Sequence, residues 1–141
     1  YPENRGRREY GERFRALLTM PHDAENHHKC IACGMCMNNC PNGTIQVVAR
    51  TETDPATGKP KRVLDKHLYN LGSCIFCGLC VSVCPTGAIR FTNEFEHAVF
   101  TKERLLLQLN RPGSSQAPKP AAPAPEGGTA SPEARTESKT E

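Results

Sequence analysis

The sequence predicts a small α+β domain built from two copies of one unit, with an arm before it and a tail after it. The stretches Cys30 to Pro41 and Cys74 to Pro85 share the pattern C-x2-C-x2-C-x3-C-P, at a shift of 44 residues. Each copy leads into a run with strand propensity, which begins at Ile45 in the first copy and at Ile89 in the second. A duplicated unit of this kind indicates a pseudo-twofold domain.

Composition limits how this domain can be stabilised. The 141 residues are 37% hydrophobic and include 12 Pro, 11 Gly and no Trp. We therefore expect a bound metal centre or a partner surface to replace part of a large apolar core. The formal charge of +3 counts cysteine as neutral. Eight metal-bound thiolates and two cluster cores would bring it to about −1, which removes the argument for nucleic-acid binding from net charge.

The cysteine pattern predicts two 4Fe-4S clusters, because this run is the one by which bacterial-type ferredoxins hold such clusters. The two copies use all eight cysteines. Gly34 and Gly78 allow the backbone to approach closely. Zinc is an alternative, but zinc knuckles have no use for a third cysteine and a C-P step in each copy. A secreted disulfide framework is the other alternative, and the sequence shows no secretory signal.

In two-cluster ferredoxins the fourth cysteine of each run binds the other cluster. On that pattern, we expect the first cluster to be held by Cys30, Cys33, Cys36 and Cys84. The second would be held by Cys74, Cys77, Cys80 and Cys40. Apolar side chains should exclude water from both sites; they are Ile31, Ile45, Ile75, Phe76, Leu79, Val81, Val83 and Ile89.

Residues 1–29 are predicted to form an N-terminal arm and linker. A short helix is expected from Glu12 to Leu18, with Phe14, Leu17 and Leu18 on one side. This side either lies on a neighbouring subunit or belongs to a frayed basic terminus. The linker contains three histidines, which we expect to be exposed and without a chemical role: His22, His27 and His28.

The domain itself is predicted over residues 30–110, with repeats at 30–49 and 74–93. A hairpin at residues 45–65, with turn residues from Asp54 to Gly58, is interpreted as either a surface insertion or a docking finger. A helix is expected from Thr101 to Leu109, with leucines on nearly all sides, part of which would face a partner. Residues 111–141 are rich in Pro and lack large apolar side chains, so we expect a disordered tail.

From Tyr1 through Leu109 the chain resembles subunit I of bacterial respiratory complex I, the dicluster subunit of NADH:quinone oxidoreductase. The flanks of the cysteine runs carry this resemblance more than the cysteines do. The matching segments are Tyr1-Pro-Glu, Arg13-Phe-Arg15, Cys30-Ile-Ala-Cys33, Cys74 to Cys80, Cys84-Pro-Thr-Gly-Ala-Ile89, Glu94 with Glu96, and Lys102-Glu-Arg-Leu-Leu.

The resemblance implies a subunit of the peripheral arm whose two clusters pass electrons from the flavin side towards quinone. Its partners would be the quinone-site and cluster-bearing subunits and the membrane arm, on the cytoplasmic face of the inner membrane. Members of this family usually begin with an amphipathic membrane-surface helix, which the sequence does not show. Related membrane-bound hydrogenases and ferredoxin-fed complexes use similar subunits and remain alternatives.

Two further functions remain open from the sequence. A free dicluster ferredoxin would not need the arm, the hairpin or the leucine-rich segment. An RNA-binding metal module would need a basic face with stacking aromatic side chains, and the chain has few of them. No nucleophile is paired with a general base, so we expect no substrate chemistry on this chain alone, although the complex would be an oxidoreductase.

Overall fold

The computed structural model describes residues 3–54 and 58–118 of the chain. In these residues the fold is α+β, with two one-turn helices, three short 3-10 helices and seven strands. The helices are α1 (Met35–Asn38) and α2 (Leu79–Ser82). The 3-10 helices are Arg5–Arg7, Leu71–Ser73 and Lys102–Leu105. The strands are β1 (Leu18–Thr19), β2 (His27–His28), β3 (Ile45–Thr53), β4 (Pro60–Asn70), β5 (Arg90–Phe91), β6 (Leu106–Gln108) and β7 (Ser115–Gln116).

The largest sheet has the strand order β3-β4-β6 and is antiparallel throughout. Strands β3 and β4 form the predicted hairpin, which is longer than expected and whose tip falls partly outside the described residues. A register shift lies between Val48, opposite Lys66, and Ala49, opposite Leu64. The extra residue, Asp65, lets Leu64 and His67 both be buried although they are three positions apart.

The base of this hairpin is part of the core. Ile45 pairs with Tyr69 and Val47 pairs with His67, so these four side chains share one face of the ribbon. All four are less than 9% exposed. Only the distal part of the hairpin, from Arg50 outwards, is mostly exposed. The base of the hairpin therefore belongs to the core of the domain, and the alternatives of a surface insertion and a docking finger apply to its exposed distal part.

The N-terminal arm packs on its own domain. Strand β1 pairs with β5, with Leu18 opposite Phe91, and Leu18 and Met20 are in the hydrophobic core. The Ala16 N–H donates to the Thr92 carbonyl at 3.2 Å. The predicted helix from Glu12 to Leu18 is wrong. Of its three apolar side chains, Leu18 is in the core, Leu17 packs against the core and Phe14 is 39% exposed. Backbone pairing with the second repeat holds this segment extended instead.

The segment after residue 100 also differs from prediction. A 3-10 helix, Lys102–Leu105, leads into β6, and β6 pairs with the end of β4. The predicted helix through Leu109 is wrong because β4 offers a free sheet edge to a leucine-rich run. Leu105, Leu107 and Leu109 pack against the core, while Leu106 is 62% exposed.

The beginning of the predicted tail is ordered. Strand β7 pairs in parallel with β2, and the Ala117 N–H donates to the His28 carbonyl at 2.8 Å. His28 is only 2% exposed, so the expectation that it lies on an exposed loop is wrong. The expected disorder does not hold for residues 111–118, and residues 119–141 lie outside the described part of the chain.

Local geometry repeats at the same 44-residue interval as the sequence. Helices α1 and α2 each begin after a glycine with positive φ, Gly34 at 78° and Gly78 at 86°. Two non-glycine residues, Ala32 at 54° and Phe76 at 53°, also have positive φ at matching positions. The backbone of each C-x2-C-x2-C loop thus turns in the same way. In the described residues, no helix is both long enough and apolar enough to span a bilayer.

Candidate iron–sulfur site

Two similar cavities lie inside the domain, and cysteines line both. The first is lined by Cys30, Cys33, Cys36 and Cys84, and it has about 320 Å³ of space including its opening to solvent. The second is lined by Cys74, Cys77, Cys80 and Cys40, with about 330 Å³. Each cavity therefore combines three cysteines of one run with the fourth cysteine of the other. All eight cysteines are described, and all eight are free thiols.

Helices α1 and α2 produce this exchange. Helix α1 carries Cys36, which faces the first cavity, and the chain then leads to Cys40 at the second. Helix α2 carries Cys80 at the second cavity and leads to Cys84 at the first. The third and fourth cysteines are four residues apart, about 6 Å along a helix axis, so one turn of helix joins the two cavities.

Backbone N–H groups point at the sulfurs in the same way in both repeats. The Ala32 N–H donates to Cys30 Sγ at 3.4 Å, and the Phe76 N–H donates to Cys74 Sγ at 3.3 Å. Both donor residues have positive φ, so the two loops share this local backbone conformation. Hydrogen bonds of this kind stabilise negative charge on a ligand sulfur, and they help set the reduction potential of a bound cluster.

The fourth cysteines have amide donors of their own. The Thr44 N–H donates to Cys40 Sγ at 3.3 Å, and the Ala88 N–H donates to Cys84 Sγ at 3.3 Å. Burial alone would raise the pKa of both thiols, but hydrogen bonds outweigh it and lower the pKa of each. At Cys40 they come from the Thr44 hydroxyl and nearby backbone N–H groups, and at Cys84 from the N–H groups of Ala88 and Thr86 and the Thr86 hydroxyl. Both thiols are thus prepared to become thiolate ligands.

The third cysteines are the buried ones. Cys36 and Cys80 are each 8% exposed, and burial followed by the neighbouring thiols raises the pKa of Cys36 to about 12 and that of Cys80 to about 11. A thiolate at either position is unfavourable without positive charge beside it. Metal ions supply that charge and displace the proton, so buried cysteines at these two positions are suitable ligands for a cluster.

The spacing of the sulfurs separates a cluster from a single zinc ion. Tetrahedral zinc, with Zn–S bonds of about 2.3 Å, places its sulfur ligands about 3.8 Å apart. Among the described residues, one group of three possible metal ligands has its donor atoms within 4.8 Å of one another, and it consists of Asp23, Glu25 and His27. No three cysteine sulfurs of the described chain are that close together. The thiols are therefore spread around a volume larger than one ion. A four-iron cluster, whose irons occupy alternate corners of a cube and bind one cysteine sulfur each, fits this donor set.

Three polar side chains break the similarity of the two cavities. On β4, His67 lines the first cavity and Tyr69 lines the second. Outside the second cavity, the Arg15 guanidinium donates to the carbonyls of Cys77 at 2.6 Å and Phe76 at 3.3 Å.

Sequence reasoning placed all eight cysteines in these cavities but did not find the roles of His67 and Tyr69. The available signal was that His67 and Tyr69 are two residues apart on a strand that leads into the second cysteine run, so their side chains lie on the same face of it. The sequence predicts the arm that contains Arg15, but only the structure shows its contact with the second cysteine loop.

The fold and the two cysteine-lined cavities are typical of a ferredoxin-type iron–sulfur domain. A model of the 4Fe-4S dicluster domain family matches residues 29–88, which include every cysteine. The chain therefore carries a 4Fe-4S dicluster domain in this region, and its eight cysteines are consistent with two clusters.

Two known proteins show what the chain is similar to. Over 37 residues it is 49% identical to F(420)H(2) dehydrogenase subunit I of Methanosarcina mazei, a match covering 26% of this chain and 18% of that protein. It is 31% identical to a chain in the structure of the membrane-bound sulfane sulfur reductase, an archaeal respiratory membrane complex. That alignment covers 69% of this chain and 47% of the other, with a TM-score of 0.38. The chain spans less than half the length of either protein.

Proposed function

We propose that this chain is the electron-transfer subunit of a complex I-type respiratory complex, relaying electrons through two 4Fe-4S clusters from the NADH side towards quinone. The arrangement of the two cavities supports the relay most directly. Each one-turn helix carries a ligand of one cavity and leads to a ligand of the other. Two centres joined in this way are close enough for electron tunnelling between them.

The residues of the chain hold the clusters and keep water away from them. Cys30, Cys33, Cys36 and Cys84 would bind the first cluster, and Cys74, Cys77, Cys80 and Cys40 the second. The bound clusters would supply reversible one-electron chemistry. Val47 and Ile89 line the first cavity and Ile45 and Phe91 the second, and these side chains lower the local polarity.

Each cavity also has an exposed edge where a partner centre can approach. Cys33 and Cys77 are exposed, and the neighbouring Ile31 and Ile75 are 39% and 58% exposed. Phe100, which is fully exposed, and Leu106 add apolar surface elsewhere. Exposed apolar side chains of this size favour a chain that is bound to other subunits over a freely diffusing carrier. We place it peripherally on the cytoplasmic face of the membrane.

A related complex is the second candidate, and the 49% identity with a subunit of F(420)H(2) dehydrogenase favours it. In that case the clusters would serve a different electron donor within a similar assembly. A pull-down of the tagged chain from its native membranes in mild detergent, with partners identified by mass, distinguishes the candidates. Subunits with NADH-binding sequence support complex I, and a different donor-binding subunit supports the second candidate. A monomer free of partners contradicts both.

The ligand assignment is tested by changing the fourth cysteines one at a time. Cys84→Ser should alter the EPR signal of the cluster held by Cys30, Cys33 and Cys36, although Cys84 belongs to the other run. Cys40→Ser is the matched control and should alter the other signal. The reverse pattern would show that each run binds its own cluster. Zinc in place of iron and sulfide in the anaerobically purified protein would reject the electron-transfer function altogether.

A further inference from the structure

The two cavities have similar cysteines and similar backbone donors, but among the described residues the buried third cysteine has a side-chain hydrogen-bond partner in the first cavity and none in the second. His67 Nε2 lies 3.5 Å from Cys36 Sγ. We propose that His67 donates a hydrogen bond to Cys36 and thereby raises the reduction potential of the first cluster relative to the second. This inference rests on the proposed function, because it assumes that both cavities hold clusters.

The surroundings of the ring assign the direction of this hydrogen bond. His67 is fully buried, and its Nδ1 atom has no hydrogen-bond partner among the described residues. A cysteine sulfur bound to iron carries no proton, so it can only accept. The proton therefore belongs on Nε2, where it has an acceptor, and not on Nδ1, where it would have none.

The position of the ring is held through the backbone of His67. Its N–H donates to Asn110 Oδ1 at 2.8 Å, and its carbonyl accepts from the Leu109 N–H at 2.9 Å. The Asn110 side chain also donates to the Asp65 carbonyl at 2.9 Å, so it bridges two positions of β4. Asn110 is 6% exposed, which protects these bonds from water. The backbone of His67 is thus held by hydrogen bonds at both its N–H and its carbonyl, and this limits movement of the imidazole.

The second cavity differs at its buried cysteine. Its side-chain contact is at the fourth cysteine, where the Thr44 hydroxyl lies 3.2 Å from Cys40 Sγ, and the first cavity has a longer counterpart of 3.8 Å between the Thr86 hydroxyl and Cys84 Sγ. Within the described residues, no side chain donates to Cys80, the counterpart of Cys36. Tyr69 occupies the equivalent place on β4, where it lines the second cavity, and its hydroxyl has no hydrogen-bond partner among the described residues. A hydrogen bond to a ligand sulfur stabilises the reduced cluster, which carries one more negative charge. The histidine therefore favours the electron on the first cluster.

Two variants of His67 separate the hydrogen bond from the filling of the cavity. His67→Gln places an amide N–H close to the position of Nε2, while His67→Met has a similar length and shape but no donor. Tyr69→Phe is the control, because it removes a buried polar group from the same strand at the other cavity. Each protein is purified anaerobically with its iron and sulfide measured, and both clusters are titrated by EPR. The signals are assigned with Cys84→Ser and Cys40→Ser.

We expect His67→Met to shift the reduction potential of the first cluster to a more negative value and to leave the potential of the second cluster unchanged. The electron distribution between the clusters should change about tenfold in favour of the second, as expected for one hydrogen bond to a charged acceptor. His67→Gln should keep most of the wild-type distribution, and Tyr69→Phe should leave the first cluster unchanged. If His67→Met holds two complete clusters and the reduction potential of its first cluster is the same as in the wild-type protein, the proposal is overturned and the proposed function stands. Equal shifts of the first cluster's potential in His67→Gln and His67→Met would also overturn it. If the wild-type protein contains no clusters, both this proposal and the proposed function are rejected.

A measurement on the unmutated protein covers the case in which His67→Met fails to fold. With ¹⁵N-labelled histidine, the reduced first cluster should show a weak nitrogen coupling in pulsed EPR, and the second should show none. The coupling should disappear in His67→Gln, where the other histidines remain labelled. A first cluster without nitrogen coupling in the wild-type protein would contradict the contact itself.

Discussion

Gly78 and Gly34 occupy equivalent positions but have different surroundings, and this allows a matched test of the arm. Both have positive φ, so an alanine at either site costs about 1–2 kcal/mol in backbone strain. At Gly34 a Cβ would find Met37 Cε at 3.9 Å, an ordinary contact. At Gly78 it would lie 2.8 Å from Arg15 Cζ and 2.9 Å from Arg15 Nη1. Gly78→Ala therefore has to displace Arg15 as well.

The additional cost is the loss of the hydrogen bonds that Arg15 makes with the second cysteine loop. The guanidinium is at the end of a flexible, exposed side chain, so it can move into solvent without further strain. Two hydrogen bonds from an exposed charged group to the carbonyls of Cys77 and Phe76 together contribute about 1 kcal/mol. Gly78→Ala should thus be destabilised by about 1 kcal/mol more than Gly34→Ala.

The assay follows the loss of visible cluster absorbance with increasing guanidinium chloride under anaerobic conditions. Gly34→Ala, Gly78→Ala, Arg15→Ala and the Gly78→Ala/Arg15→Ala double variant are compared at equal iron content. The excess cost of Gly78→Ala should vanish when Arg15 is already absent, because the two changes remove the same contact. Equal midpoints for the two glycine variants would refute the reasoning, and so would an excess that persists without Arg15.

Four further predictions concern stability and assembly. Asn110→Leu should lower the free energy of unfolding by about 2–4 kcal/mol, because it leaves the buried His67 N–H without an acceptor, and cluster loss in denaturant measures this. A chain ending at Pro118 should lose its clusters at higher denaturant than one ending at Asn110, because only the longer chain keeps the pairing of β7 with β2; equal midpoints would show that this pairing contributes little. Leu18→Ala should cost about 2–5 kcal/mol, because this side chain is 1% exposed in the core. Leu106→Ala, at a 62% exposed position, should change stability by less than about 0.5 kcal/mol. If Leu106 contacts a partner, its variant should be recovered with fewer subunits in the pull-down, and unchanged recovery would remove it from the interface.

The similarity of the two repeats and the differences between them have separate origins. Equivalent positions have the same local backbone, including the strained φ of Ala32 and Phe76, because a short loop that supplies three ligands to one cluster leaves few alternatives. The differences come from single segments outside the repeats. Strand β4 contributes His67 to one cavity and Tyr69 to the other, and the arm places Arg15 beside the second loop alone.

The errors in the secondary-structure prediction share one cause. Glu12 to Leu18 and Thr101 to Leu109 have apolar residues at helical spacing, and both were predicted to be helices. In the structure their ends form β1 and β6, which pair with β5 and β4. Short helices are marginal in water, so a nearby strand edge with unpaired N–H and C=O groups decides the outcome.

The sequence alone determined the eight cysteines, their two runs, the turns that the glycines permit and the kind of metal centre, because ligand type and spacing are local properties of the chain. It also indicated the hairpin, since strand propensity and turn residues are local as well. Only the tertiary structure decided that the hairpin base forms a wall of both cavities, that the arm and residues 111–118 pack on the domain, and that His67 and Arg15 make the two sites unequal. These features depend on contacts between residues up to 89 positions apart, and no local pattern records which segments will meet.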